Sequence, residues 1–516
     1  MKCIKYIVSF FTLLLATSCG SLLDLSPEDY YGSGNFWNTE AQVKGFMLGL
    51  HNQYRGSYSM YYVMGEARGG TSRNGTSSQN TSLDYSSPIK DNTFTKDRTG
   101  ISSWNGLYSN LLQVNLFIQK VNEVNFLDAA TKSYLLGQAH GLRANYYFML
   151  YKTYGGVPIV ERVKVLDGQI TAESLYQARA TAQETMDFIK KDLKISEESF
   201  GSNVTINGNK SQWSKYATLM LKAEVYLWTA KVSTGNLQAN PSDALIAKDA
   251  LNEVYGKFEL MKSFTDVFSE KGNKEVIFAL RFMDGEATNF ASSFTYSNNV
   301  FLGQVYGRKG NLIDKDTLQL KNSGMMRNEY KWGLFASMDA KDVRRDATFL
   351  DYYDQEGEPK GLAFKKCIGI INQEGNRVYQ NDVIVYRYAD VLLMLAEIEN
   401  MTGGDVSPYI NQIRERAYAA NWDANQFGYK NGSKDENELA ILFERDKEFV
   451  WEGKRWFDVV RMKNGAGESL VFDARVNYDD PNPILTKDQA YMILWPIDIN
   501  TLNNDPELKN NPGYDN

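Results

Sequence analysis

Residues 444–461 read ERDKEFVWEGKRWFDVVR and crowd acids, bases and large aromatics into one short run. Three readings compete: an active site, a nucleic-acid patch, or a helix built for packing. Placed on a helix over 436–462, Leu439, Leu442, Phe443, Phe449, Val450, Trp456, Phe457 and Val460 recur at three- and four-residue steps and draw one apolar stripe. Between them fall opposite charges at helical-neighbour spacing: Arg445 with Glu448, Glu452 with Arg455, Lys454 with Asp458, and Asp458 with Arg461. Each such pair contributes about 0.2–0.5 kcal/mol. Gly453 is unfavourable inside a helix and marks a close contact or a bend. Every charge therefore has a helical partner, and the stretch reads as a scaffold helix, not an acid–base pair.

The composition around it narrows the class. The chain has 516 residues, 43% of them apolar, enough for a sizeable core, and its mean hydropathy of -0.43 argues against a polytopic membrane protein. Aromatics make up 13%, with 32 Tyr, 26 Phe and 9 Trp, which points to a surface that uses rings for recognition. Lysine and arginine number 56 against 63 acids, a net charge of -7, so no basic face for nucleic acid is expected.

The start of the chain reads as a leader. Lys2 and Lys5 precede a short apolar run from Ile7 to Ala16, too short and wrongly flanked for a spanning helix. Ala16-Thr17-Ser18-Cys19 at its end resembles a bacterial lipobox, in which the cysteine thiol receives a lipid and becomes the new N-terminus. Residues 1–18 are thus expected to be removed and Cys19 lipidated. Cys3 leaves with the leader, so Cys367 remains as a lone thiol with no intramolecular disulfide partner. No other apolar run approaches the ~18 residues of a spanning helix, so the lipid is the expected membrane attachment.

Helical periodicity recurs over 39–55, 104–124, 131–154, 174–193, 213–231, 242–255, 390–402 and 408–419, as well as 436–462. Between these lie two loop-rich tracts. Residues 65–103 are dense in Gly, Ser, Thr and Asn, and 264–385 mix short strand-like runs such as EVIFALRF and DVIVYRY with loops. The expected fold class is mainly α: one domain over 19–516, with a helical scaffold at about 19–260 and 386–516 carrying a loop-rich, partly β insertion.

Six motifs carry a specific resemblance. EGKRWFD at 452–458, RYADVLLMLAEIEN at 387–400, INQIRERA at 410–417, LRANYYFMLYKTYGGVPIV at 142–160, LLDLSP at 22–27 and NPGY at 511–514 lie in the order found in the SusD/RagB family of outer-membrane lipoproteins. The chain resembles that family from its leader to its last residues; the middle, roughly 160–380, diverges, and WPID at 495–498 stands where the family often has Tyr-Pro-Ile-Pro. The resemblance implies a tetratricopeptide-like helical scaffold with ligand recognition on inserted loops. It further implies a protein that binds an oligosaccharide without cutting it and passes it to a SusC-like TonB-dependent transporter, from the exterior face of the outer membrane. No cofactor is expected.

A sugar competes with water for its hydroxyls, so a binding site needs flat apolar area for its C–H face and polar groups aimed at its oxygens. The 65–103 tract sets Tyr85 and Phe94 among Arg68, Arg73, Asn74 and Asp84, just before a helix whose first residue, Trp104, is a further candidate ring. GEARGG at 65–70 resembles the family segment that contributes a ligand-contacting arginine, which points to Arg68. Tyr296, Tyr306 and Trp332 stand in the second loop tract, where the family often adds another ring.

The motifs of phosphate, dinucleotide, calcium and nucleophile-elbow chemistry are absent, and His51 and His140 lack a zinc-type spacing. Two alternatives remain open: a surface glycosidase, whose carboxylate pair cannot be read from sequence, and an adhesin or fimbrial-type structural lipoprotein.

Overall fold

The computed structural model describes residues 36–75, 87–101, 103–164, 168 and 171–514. Cys19 and the leader lie outside the described residues. Eleven α-helices of seven residues or more carry the described chain. The first seven are α1 (Glu40–Gly56), α2 (Tyr58–Gly65), α3 (Asn105–Glu123), α4 (Ala129–Tyr154), α5 (Ala182–Phe200), α6 (Lys215–Lys231) and α7 (Asp243–Val254). The last four are α8 (Tyr388–Thr402), α9 (Ser407–Tyr418), α10 (Lys434–Glu448) and α11 (Arg455–Arg461).

Local signals account for most of these boundaries. Asp128 caps α4, accepting from the Ala130 and Thr131 N–H groups at 2.9 Å. Thr181 and Glu184 form a capping box that starts α5 at Ala182. The periodicity over 174–193 had placed this helix too early, because residues 173–175 form only a short 3-10 turn. Neighbouring helices then pack as pairs: α3 on α4, α4 on α5, α6 on α7, and α8 on α9 and α10. From Gly137 to its end α4 is buried on every side, with Tyr146, Tyr147, Phe148, Tyr151 and Tyr154 filling the centre.

The insertion leaves the helical body and returns to it at one place. Strand β2 (Val276–Leu280) pairs antiparallel with β8 (Val383–Arg387), Val276 opposite Arg387 and Leu280 opposite Val383. These are the two strand-like runs expected at its ends. Between them lie β3 (Asn328–Tyr330), the hairpin β4 (Phe349–Tyr353) with β5 (Pro359–Phe364), and the short pair β6 (Ile370–Ile371) with β7 (Arg377–Val378). A small satellite core of Tyr296, Phe301, Val305, Leu320, Met326, Tyr352 and Ala363 stabilises the insertion.

The opening stretch is not one helix. α10 ends at Glu448, residues 449–454 turn with Trp451 at φ 68° and Gly453 at φ 72°, and α11 begins at Arg455. The cause lies at the end of α2. The Glu66 carboxylate accepts from the Trp451 and Gly453 N–H groups at 2.8 and 2.7 Å, donors that a continuous helix would have spent on its own carbonyls. The chains touch here: a Cβ on Gly65 would sit 2.0 Å from the Gly453 carbonyl oxygen.

The charges of this stretch point inward. Of the expected pairs only Asp458 with Arg461 forms, at 2.9 Å. Arg445 instead bonds Asp458 (2.7 Å), Arg455 bonds Asp446 (2.8 Å), and Lys454 pairs with Asp390 on α8. Glu452 takes Lys366 (2.6 Å) and Arg387 (2.9 Å), while Glu448 gathers Arg387, Arg416 and Arg344. The guanidinium groups of Arg416, Arg387 and Arg344 hold Glu448 well below the usual carboxylate range against the burial that opposes ionisation. The density of charge is a buried ionic hub joining α8, α9, α10 and the insertion.

Candidate functional site

Two sequence-distant loop tracts meet through a small sheet. Strand β1 (Ser72–Asn74) pairs antiparallel with β3, Ser72 opposite Tyr330 and Asn74 opposite Asn328. Arg73 locks the junction: its Nε and Nη2 donate to Glu329 Oε2 at 3.1 and 2.8 Å, and Nη2 also reaches the Lys360 carbonyl at 2.8 Å. Buried Glu329 accepts as well from the Tyr352 hydroxyl. About a third of the Arg73 side chain stays exposed. Asn74 accepts from the Lys90 ammonium at 2.9 Å.

Beside this junction stands a group of half-exposed rings. Trp332, first residue of the short helix Trp332–Ala336, meets Tyr353 edge-to-face at 5.5 Å and 77°. Tyr353 closes β4, and its backbone exchanges two hydrogen bonds with Tyr306, at 2.9 and 2.8 Å. The Tyr353 hydroxyl donates to Asp351 Oδ2 at 2.9 Å, and Arg308 Nε donates to the same oxygen at 2.6 Å. Arg308 also bonds Asp346, and the two carboxylates hold its guanidinium above its ordinary value. Partial burial, then the Asp351 hydrogen bond, raises the Tyr353 phenol. The result is a fixed pair of part-exposed rings with an oriented guanidinium at its edge.

Of the expected site residues, the structure brings Arg73, Asn74, Tyr306 and Trp332 to this region, and Asp84 and Tyr85 lie outside the described residues. The other four sit in the core. Arg68 has 0% of its surface exposed. Its guanidinium stacks over Trp456 at 3.7 Å, Phe94 at 4.5 Å and Trp495 at 5.1 Å, and donates to Asn92 Oδ1 (2.8 Å) and the Met492 carbonyl (2.6 Å). Burial pushes it down to about 9. Phe94 stacks on Trp495 at 5.2 Å, Trp104 packs edge-on against Tyr108 and Tyr154, and Tyr296 stacks on Phe301 at 3.7 Å. None of these four presents a surface to a ligand, because each ring or cation is consumed by packing. Arg308, Asp351 and Tyr353 lie outside the sequence expectation; strict alternation in LDYYD at 350–354 would set Tyr353 on the face of buried Asp351, and the register shift between Tyr352 and Tyr353 leaves it part-exposed.

The histidines are structural. His51 Nδ1 lies 2.9 Å from the Met47 carbonyl and Nε2 accepts from the Trp213 N–H at 2.8 Å, and burial lowers it to about 4. His140 Nδ1 lies 2.7 Å from Asp192. Among the described residues no group of three or more His, Cys, Asp or Glu side chains is placed to hold a metal ion. Cys367 is a free buried thiol, pushed up to about 12 by that burial.

The fold is thus a helical scaffold whose inserted loops carry a group of part-exposed rings. The chain belongs to the SusD family, whose sequence profile matches residues 70–514. It is 26% identical to SusD-like protein P38 of Formosa agariphila over 542 residues, covering 100% of both chains. The solved structure of a SusD superfamily protein from Bacteroides fragilis superposes with a TM-score of 0.86 at 38% identity, over 93% of this chain and 100% of that one. Surface glycan-binding protein A from Bacteroides fluxus shares the fold, with a TM-score of 0.65 at 21% identity over 92% and 100% of the two chains.

Proposed function

We propose that this protein is a cell-surface glycan-binding lipoprotein that captures an oligosaccharide and delivers it to a SusC-like TonB-dependent transporter, without cutting it. The observation that carries the reading is the half-exposed Trp332–Tyr353 pair set against Arg308 and Asp351. Rings offer apolar area to the sugar's C–H face at small entropic cost, and the partly exposed Arg308 guanidinium, oriented by buried Asp351, addresses its hydroxyls. Arg73, Asn74 and Tyr306 extend the proposed contact set, with Asp84 and Tyr85 on the adjoining tract. Family membership and the name borne by the Bacteroides fluxus relative support a saccharide as ligand. Attachment through a lipid on Cys19, at the outer face of the outer membrane, completes the proposal. Among the described residues no helix is long and apolar enough to cross a membrane.

The test is a calorimetric screen of oligosaccharides against wild type and Trp332→Ala, with each mixture assayed for cleavage products. Saturable binding that the variant loses, with the glycan left intact, is expected; turnover of the glycan would overturn the reading. Affinity purification from mild detergent should recover a large β-barrel partner, and repeated recovery of the lipoprotein alone would remove the transporter from the account.

A further inference from the structure

A second opening lies on another part of the scaffold. The end of α6 and the loop to 239, the turn at 463–472, the 3-10 segment Lys487–Ile493 and the last residues enclose a cleft of about 800 Å³. That volume falls in the range of small-molecule sites, about 300–1,000 Å³. The chain as a whole is acidic, at -7, yet the cleft is lined by Lys231, Lys463 and Lys487 against a single acid, Glu468.

Two of those lysines are neutralised. Lys231 bonds Glu397 and Glu438, and Lys487 bonds Glu468 at 2.5 Å on the rim. Lys463 is not. Among the described residues no carboxylate pairs with its ammonium, although it is half-buried. The nearby Glu438 is already committed: it holds Lys231, the Asn400 amide at 2.8 Å and the Lys463 backbone N–H at 2.9 Å. Burial, then the neighbouring Lys231, pushes the Lys463 ammonium below its ordinary value, and Glu438 offsets this only in part. A second unmet group lines the same cleft: Trp228 is buried, and its indole N–H has no acceptor among the described residues.

The cleft also carries a fixed exposed ring. Tyr491 is 42% exposed and is held edge-to-face by Tyr514 at 5.1 Å. Gly513, at φ 93°, passes so close that a Cβ there would lie 2.5 Å from the Tyr491 ring, so the C-terminal turn fits only glycine and clamps the tyrosine in place. Hydroxyls of Ser233 and Thr234 stand in the same lining.

We propose that this cleft is a second binding site, separate from the Trp332 face, for a carboxylate-bearing sugar whose acid group pairs with Lys463 and whose ring packs on Tyr491. The choice of a sugar rests on the reading of the protein as a glycan binder; the choice of an acid rests on Lys463 alone. A half-buried ammonium gains more from an anion than from a hydroxyl, because the pair restores charge balance where water is scarce.

The test uses trigalacturonate and its fully methyl-esterified form, which keeps every ring and removes every charge. Both are titrated into the full chain as wild type, K463Q, K463R and Trp332→Ala, by calorimetry and by tyrosine and tryptophan fluorescence. Wild type should bind the acid at least tenfold more tightly than the ester. K463Q should erase that preference, K463R and Trp332→Ala should keep it, and K463Q and K463R should melt at the wild-type temperature. Failure of the acid to bind, equal binding of acid and ester, or a K463Q variant that retains the full preference would overturn the second site. Loss of the acid in Trp332→Ala to the same degree as in K463Q would also overturn it, by placing both effects at one site. A neutral glycan that Trp332→Ala still releases, beside a silent cleft, sinks this proposal and leaves the first reading standing.

Discussion

Glu66 holds the Gly453 backbone N–H at 2.7 Å across more than three hundred residues of chain, and this bond is what divides the opening stretch into α10 and α11. The same carboxylate takes the Trp451 N–H at 2.8 Å and the Tyr330 hydroxyl at 2.6 Å, so it ties α2, the insertion and the α10–α11 turn together.

Glu66→Gln should therefore destabilise the fold. An amide offers one acceptor oxygen where the carboxylate offers two, and a buried donor left unmet costs about 1–3 kcal/mol. Burial raises Glu66 from 4.5 to about 7, against the three donors. The folded state keeps this proton where the unfolded chain has lost it. Its contribution to stability is thus fully present below about 4.5 and lost as pH rises through about 7. Urea unfolding of wild type should show this decline between pH 5 and 8, and Glu66→Gln should flatten it; identical slopes would contradict the assignment.

Glu448 behaves in the opposite sense. Three arginines depress it, so its contribution is present above the ordinary carboxylate value of 4.5 and lost as pH falls below it. Glu448→Gln leaves Arg344, Arg387 and Arg416 short of an anion and should cost about 3–5 kcal/mol, as breaking a buried ion pair does. Chemical denaturation checks the size, and a loss under about 1 kcal/mol would mean that the hub is dispensable.

Arg68 is a packing residue with no ligand role in this account. Arg68→Ala removes the cation sandwiched among Phe94, Trp456 and Trp495 and should lower stability by about 3 kcal/mol, the cost of emptying a large core side chain. Glycan affinity measured on the folded fraction should stay within about twofold. A stable Arg68→Ala protein that no longer binds glycan would restore the arginine to the site.

Much of the helical body is legible in the sequence because its causes are local. The periodicity over 131–154 and 213–231 falls on α4 and α6, whose starts the Asp128 and Ser214 caps fix in the structure. What the stretch at 444–461 conceals is non-local: nothing within it announces Glu66, and i,i+4 spacing cannot tell an exposed pair from charges aimed into a hub. The site suffers from the same limit. Phe94, Trp104 and Tyr296 look like recognition rings by type and loop context, yet each found an aromatic partner in the core; Tyr353 is part-exposed through a register shift in the β4–β5 pairing that no local pattern announces.

The anchor is tested by Cys19→Ala. Lipidation at this thiol predicts that the variant leaves the membrane fraction or accumulates with its leader uncleaved. Unchanged fractionation and gel mobility would remove the lipid from the account.

The most direct test of the central claim is the affinity of Trp332→Ala for the cognate glycan, measured by calorimetry beside a thermal melt. The ring is partly buried against the core beside Phe335 and Tyr353, so its loss should lower the melting temperature, and affinity is read on the folded fraction. The account predicts at least about a tenfold weaker affinity of the folded variant, or about 1.4 kcal/mol. Wild-type affinity in a folded Trp332→Ala protein would contradict it.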